Sequence, residues 1–283
     1  QRQMCIRDSL KTLFVLGGET EADAEAMATA CFDMEKQLSE SMLDTADSNN
    51  VDKIYNVFTM QEIRDLFPNV DMDAVFADSG LQPADEIVIF DVGLTKAFAA
   101  YFQEENVETL KAWAKLTLLL GWGGAFGQDF IDASDTFNQE FMGVSGSYSP
   151  EERAVLTLQN TMPDYIGELY AERYFSQQAK QDVEKMVRDI IAVYRQRIKT
   201  LSWMSSATKE RALKKLDTLG VKIGYPDKFE SPIDNAEIKS AEEGGSYFTN
   251  MLAITAAQKA ENIALQGQPV DKSQSVSYTH LRA

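Results

Sequence analysis

Proton transfer and zinc binding fall most often to histidine, and this chain of 283 residues contains one, His280. Zinc catalysis of the H-E-x-x-H kind needs two imidazoles one helical turn apart, so that both reach one ion while the glutamate activates its water. The sequence holds no such pair. A Ser-His-Asp or Cys-His arrangement would have to recruit His280 as its base. That residue sits in SVSYTHLRA, a terminal stretch that does not continue the helical pattern beside it.

Other chemistry-bearing patterns read more simply as structure. GWGGAFGQDF, Gly121 to Phe130, resembles a phosphate-cradling loop, but Phe126 stands where G-x-G-x-x-G needs its last glycine and no strand precedes it. A break between packed helices is expected there. Asp129, Asp132 and Asp135 could line one helical face, yet they lack the glycine and distal glutamate of a calcium loop, so a solvated acidic face is expected. With 44 acidic residues, some close carboxylate pair is nearly inevitable, so a pairing for glycoside hydrolysis stays open while carrying almost no signal. Trp113, Trp122 and Trp203 read as core residues, with Trp122 beside glycines as the one that could face a cavity. No residue is assigned a catalytic, cofactor-binding or metal-binding role.

The formal net charge of −17 argues against nucleic acid as a partner, because backbone binding needs clustered Lys and Arg to release counterions. No apolar run reaches the length of a membrane span, and the first thirty residues lack signal-peptide regions. QRQMCIRDS at the start and SVSYTHLRA at the end resemble translated adapter ends and are read as non-native, which sets aside residues 1–9 and 274–283 with Cys5 and His280. Cys31 is then alone, without an internal disulfide partner, on a stripe with Met27, Met34 and Leu38 that marks it as a core thiol.

The elements that would position these groups are mostly helical. Thr20 with Asp23, Thr59 with Glu62, and Ser149 with Pro150 and Glu152 are helix starts; Pro68 and Gly80 are stops. EIVIFD, 86–91, reads as an isolated short strand or extended linker. A helix capped by Asn106 is apolar nearly all round and should be central. From Ser176, residues Val183, Met186, Val187, Ile190, Tyr194, Ile198 and Leu201 follow three-and-four spacing, which predicts a long helix with one core face and one charged face. Ser206 opens a further helix, and Gly220 is placed to end it in a left-handed conformation.

AERYFSQQAKQDVEKMVRDIIAVYRQRIKTLSWMSSATKERALKKLDTLGVKIGYPDKF resembles the end of the helical N-terminal region of the neprilysin and endothelin-converting-enzyme family of zinc metallopeptidases. The matching residues are Tyr174, Phe175, Met186, Val187, Trp203, Met204, Thr208, Lys209, Ala212, Lys215, Leu216 and Ile223 to Asp227. YNVFTMQEIRDLFPNVDMDAVFADSG and NVETLKAWAKLTLLL are similar to earlier family segments. Met72, where the family has tryptophan, and EERA at 151–154, in place of an Arg-Trp and a nearby cysteine, depart from its pattern.

The resemblance implies a mainly α, multi-helix lobe with one or two short strands, the substrate-gating lobe of a two-lobed metallopeptidase. It spans 10–223, with 224–273 an exit segment towards the missing C-terminal catalytic domain. GQPVDKS, Gly267 to Ser273, resembles the stretch just before the family's Asn-Ala-Tyr strand, and VKIGYPDKF would turn the chain out of the lobe. It further implies Zn2+ in the parent protein, peptide substrates, and an extracytoplasmic location, secreted or membrane-anchored. This part would enclose the substrate cavity and be inactive alone. The alternative is a free-standing helical binding or scaffold module.

Overall fold

The computed structural model describes residues 2–144, 146–229 and 231–270, so His280 and the whole of 274–283 lie outside the described residues. The chain divides into two compact units. The first comprises the residues up to Ser147 together with Lys239–Met251, and the second Tyr148–Ile238 with Leu252 onward.

The first unit begins with α1 (Arg2–Leu16) and α2 (Glu21–Ser39). Thr20 caps α2, its hydroxyl accepting from the Asp23 amide at 3.2 Å. The first helix runs without a break through residues 2–9, and in that stretch Arg7 pairs with Asp33 at 3.0 Å and lies 4.5 Å over the Phe32 ring. The helical pattern thus continues across a segment that the sequence set apart. After the short α3 (Val51–Ile54) come β1 (Asn56–Phe58), α4 (Met60–Leu66) and α5 (Met72–Ser79). Thr59 and Glu62 form the expected reciprocal capping box on α4, and Gly80, at φ +82°, closes α5.

EIVIFD supplies β2 (Ile87–Ile89), which is paired: it runs antiparallel to β1 with Val57 opposite Val88. Behind β2, Asp91 is buried and caps α6 (Val92–Ala99) by accepting from the Leu94 amide at 2.9 Å. Its other oxygen accepts from the Leu43 amide at 2.7 Å, tying the loop after α2 to the sheet. Gly93 lies so close to that loop that a Cβ would stand 2.6 Å from the Ser41 carbonyl oxygen.

Helix α7 (Val107–Phe126) and α8 (Gln128–Phe137) complete this unit's core. Leu13 and Phe14 of α1, Ala24, Ala28 and Cys31 of α2, and Ala112, Leu116 and Leu119 of α7 form one buried cluster. Small residues on α2 face larger ones on its neighbours, which lets the three helices approach closely. α7 is central on one side only, because Leu118 and Leu120 remain exposed. Nor does GWGG break it: the helix continues through Phe126, and the break falls at Gly127, whose φ is +144°. A glycine interrupts a helix only where the backbone leaves the helical region, and those at 121, 123 and 124 do not.

The second unit contains α9 (Pro150–Thr161), α10 (Pro163–Tyr174), α11 (Gln177–Thr200) and α12 (Ser206–Asp217). Ser149 and Glu152 make the predicted capping box, and Ser176 caps α11. α12 stops at Asp217, three residues before Gly220, which does not adopt a positive φ. α13 (Tyr247–Ala264) was not expected; it starts in the first unit and continues in the second.

Candidate functional site

Two features of the second unit stand out: the turn at Gly224 and the exposed face of α11. Gly224 has φ +69°, a region that only glycine enters at low cost. The Phe175 ring, just before α11, occupies the space a side chain there would need. Tyr225 then meets Phe175 edge-on at 5.7 Å and stacks on Phe229 at 6.1 Å.

Lys180, in the first turn of α11, locks this turn from below. Its ammonium donates to the Tyr225 carbonyl at 2.8 Å and to the Asp227 carboxylate at 2.7 Å, and lies 4.6 Å over the Tyr225 ring. The hydrogen bond that Lys180 donates to Asp227 raises the lysine pKa, and the same bond holds the Asp227 carboxyl below the usual carboxylate range. IGYPD therefore folds back onto the start of α11. This is a structural clasp, with no open position at which a substrate atom could reach Lys180, whose side chain is 11% exposed.

α11 itself overturns one expectation. Val187 and Ile198 are half-buried, but Met186, Ile190 and Tyr194 are 60%, 49% and 58% exposed, so the stripe read as core is largely open. Together with Val193 and the charged side chains of Asp182, Lys185, Asp189 and Arg197 they line an open groove of about 520 Å³ along this single helix. Trp203, in the turn between α11 and α12, is 76% exposed and is not a core residue. Helical spacing shows that a face is apolar; it does not show what covers it.

A second groove, about 820 Å³, lies between Pro232–Asn235 and the alanines 253, 256, 257 and 260 of α13. The remaining candidates resolve as structure. Trp113 packs against the core cluster, and Trp122 meets Phe248 edge-on at 5.5 Å. Cys31 is fully buried, and burial pushes its thiol up to about 11. Of the three aspartates on α8, Asp129 and Asp132 are exposed and Asp135 is half-buried. Among the described residues no group of three His, Cys, Asp or Glu side chains could hold a metal ion.

Comparison with known proteins gives this geometry a context. Residues 3–226 match a family model described as Peptidase family M13. The neutral endopeptidase of Lactobacillus helveticus is 26% identical over 268 residues, covering 94% of this chain and 41% of the relative. Neprilysin of Mus musculus is 20% identical, covering 87% of this chain and 35% of the relative. Among solved structures, PepO from Lactobacillus rhamnosis HN001 superposes with a TM-score of 0.85 at 23% identity, covering 97% of this chain and 43% of that one. The inhibitor complex of the Mycobacterium tuberculosis zinc metalloprotease Zmp1 gives 0.82 at 23% identity, with 97% and 41% covered. The chain thus spans about two fifths of the length of the bacterial relatives it matches.

Proposed function

Because the chain belongs to peptidase family M13, we propose that it is the helical lobe of a zinc-dependent endopeptidase, enclosing a cavity for peptide substrates and contributing no catalytic, cofactor-binding or metal-binding residue. The zinc and its ligands then belong to the part of the relatives' length that this chain does not span. The observation that carries the reading is the family match through Gly224 to Pro226, the segment that the clasp organises.

The open face of α11 supports the same reading, since an apolar stripe of this kind is normally covered in the working protein. Residues 1–9 and 274–283 are kept as non-native in this proposal. An extracytoplasmic location, secreted or anchored, also belongs to it; among the described residues no helix is long and apolar enough to cross a membrane.

The test is metal analysis and peptide cleavage on the purified chain, alongside sequencing through the junction after Ser273 in an intact copy of the gene. The expected result is no stoichiometric zinc and no cleavage here, with paired histidines one helical turn apart in the extension. An extension without them, or zinc held tightly by this chain alone, sinks the proposal and leaves a free-standing helical binding module in its place.

A further inference from the structure

The groove between the turn Pro232–Asn235 and α13 lies wholly in the second unit and is used by neither the clasp nor the α11 face. Its volume of about 820 Å³ falls in the range of roughly 300–1,000 Å³ found for ligand sites. Both walls are anchored. Phe229, at one edge, stacks on Tyr225 and lies against α10, where a Cβ on Gly167 would stand 3.8 Å from the ring. Ile233 is buried, and Asp234 accepts a hydrogen bond from the Tyr165 hydroxyl, which ties the turn to α10 as well. The opposite wall is made of Ala253, Ala256, Ala257 and Ala260, which stand at i, i+3, i+4 and i+7 and so share one side of α13. Ile254, beside them, is buried and fixes that helix. A groove held in this way needs little reorganisation before it is filled.

Charge selects what fills it. Asp234, Glu237 and Glu261 line the groove against one cation, Lys228. The alanine wall adds apolar surface without bulk, so an extended main chain can lie flat on it. We propose that this groove binds cationic peptide segments, with small or apolar residues against α13 and Arg or Lys side chains at Asp234, Glu237 and Glu261. This rests on the lobe reading above, which supplies peptides as the ligand class, and adds to it a preference for basic sequences. Arginine is the better match of the two, because its planar fork engages a carboxylate through two hydrogen bonds. A neutral apolar segment is disfavoured, since it would cover the carboxylates without replacing their water. A second copy of this chain is disfavoured too, because at a net charge of −17 it would bring further carboxylates to an acidic rim.

The test measures fluorescence anisotropy of a dye-labelled, end-blocked peptide of alternating alanine and arginine on this chain, beside the same peptide with glutamate for arginine. The arginine peptide is expected to bind at least about tenfold more tightly, and to weaken several-fold when salt rises from about 0.1 to 0.5 M. Glu261→Lys should weaken it and narrow the gap between the two peptides. Ala256→Trp, at an exposed position where added bulk disturbs no core, should abolish binding while leaving the thermal melt unchanged. Equal binding of the two peptides overturns the charge preference, and full binding by Ala256→Trp overturns the groove as the site. Spermidine that competes at as low a concentration as the arginine peptide overturns the peptide assignment in favour of small polyamines. A chain that binds neither peptide, beside a full-length gene product that holds zinc and cleaves peptides, sinks the groove and leaves the lobe reading intact.

Discussion

The ring of Phe175 occupies the position that a side chain on residue 224 would take: a Cβ built on Gly224 would overlap the Phe175 Cε1 atom. Steric exclusion and a left-handed backbone, at φ +69°, therefore demand glycine for separate reasons.

Gly224→Ala is expected to destabilise the second unit by more than about 2 kcal/mol, since overpacking and left-handed strain add. Adding Phe175→Ala should recover only the steric share. Urea denaturation of both variants checks this, and full recovery in the double variant would show that backbone conformation contributes nothing.

The clasp should depend on pH in a defined sense. Asp227 titrates below its ordinary value when folded, so its contribution is complete above the unfolded carboxylate pKa, about 3.9, and fades as pH falls through the lower folded value. Lys180 titrates above its ordinary value, so its contribution is complete below about 10.4 and fades as pH rises through the raised one. The stability difference between the native sequence and Lys180→Met should thus be flat between these limits and shrink outside them. A difference that peaks sharply near neutrality would contradict the pairing.

Cys31, with its thiol pushed up to about 11 and its side chain enclosed, should not react with thiol reagents at pH 8 while the chain is folded. In a Cys5→Ser background, colour from a thiol-exchange reagent should develop only on denaturation. Rapid reaction under native conditions would mean that the α1–α2–α7 core opens readily.

Asp91→Ala should cost about 2–3 kcal/mol, because it removes two charge-assisted hydrogen bonds and strands the amides of Leu43 and Leu94. Gly93→Ala should be comparably harmful through the Ser41 carbonyl. Thermal melts of each variant provide the check, and a neutral Asp91→Ala would mean that water replaces the carboxylate.

The caps were readable because they are local: a Ser or Thr followed three residues later by Glu or Asp satisfies helix-end amides within one turn, as at Thr20, Thr59 and Ser149. β1 was missed because Asn56–Phe58 is too short to show alternation, and it becomes a strand only by pairing with Ile87–Ile89. α13 was missed because its clearest sign, Ser246 accepting from the Thr249 amide, lacks an acidic residue at the third position. Its alanines also gave no contrast between faces. The clasp was legible as a motif, but Lys180 as its lock was not, since forty-seven positions separate it from Asp227. Misassigning α11 had a different source, because periodicity shows that a face is apolar and carries no sign of whether anything covers it.

α13 carries a consequence for the order in which the chain can fold. Phe248 packs on both Trp122 and Phe126, and Asn250 closes on the backbone of Lys239, so the first unit incorporates residues that are synthesised about a hundred positions after the rest of it. A nascent chain that has emerged only as far as Ile238 holds the clasp and the α11–α12 hairpin, but it still leaves those two aromatic rings without their cover. On the ribosome the first unit therefore cannot complete itself as its own helices emerge, and each unit waits for its share of α13.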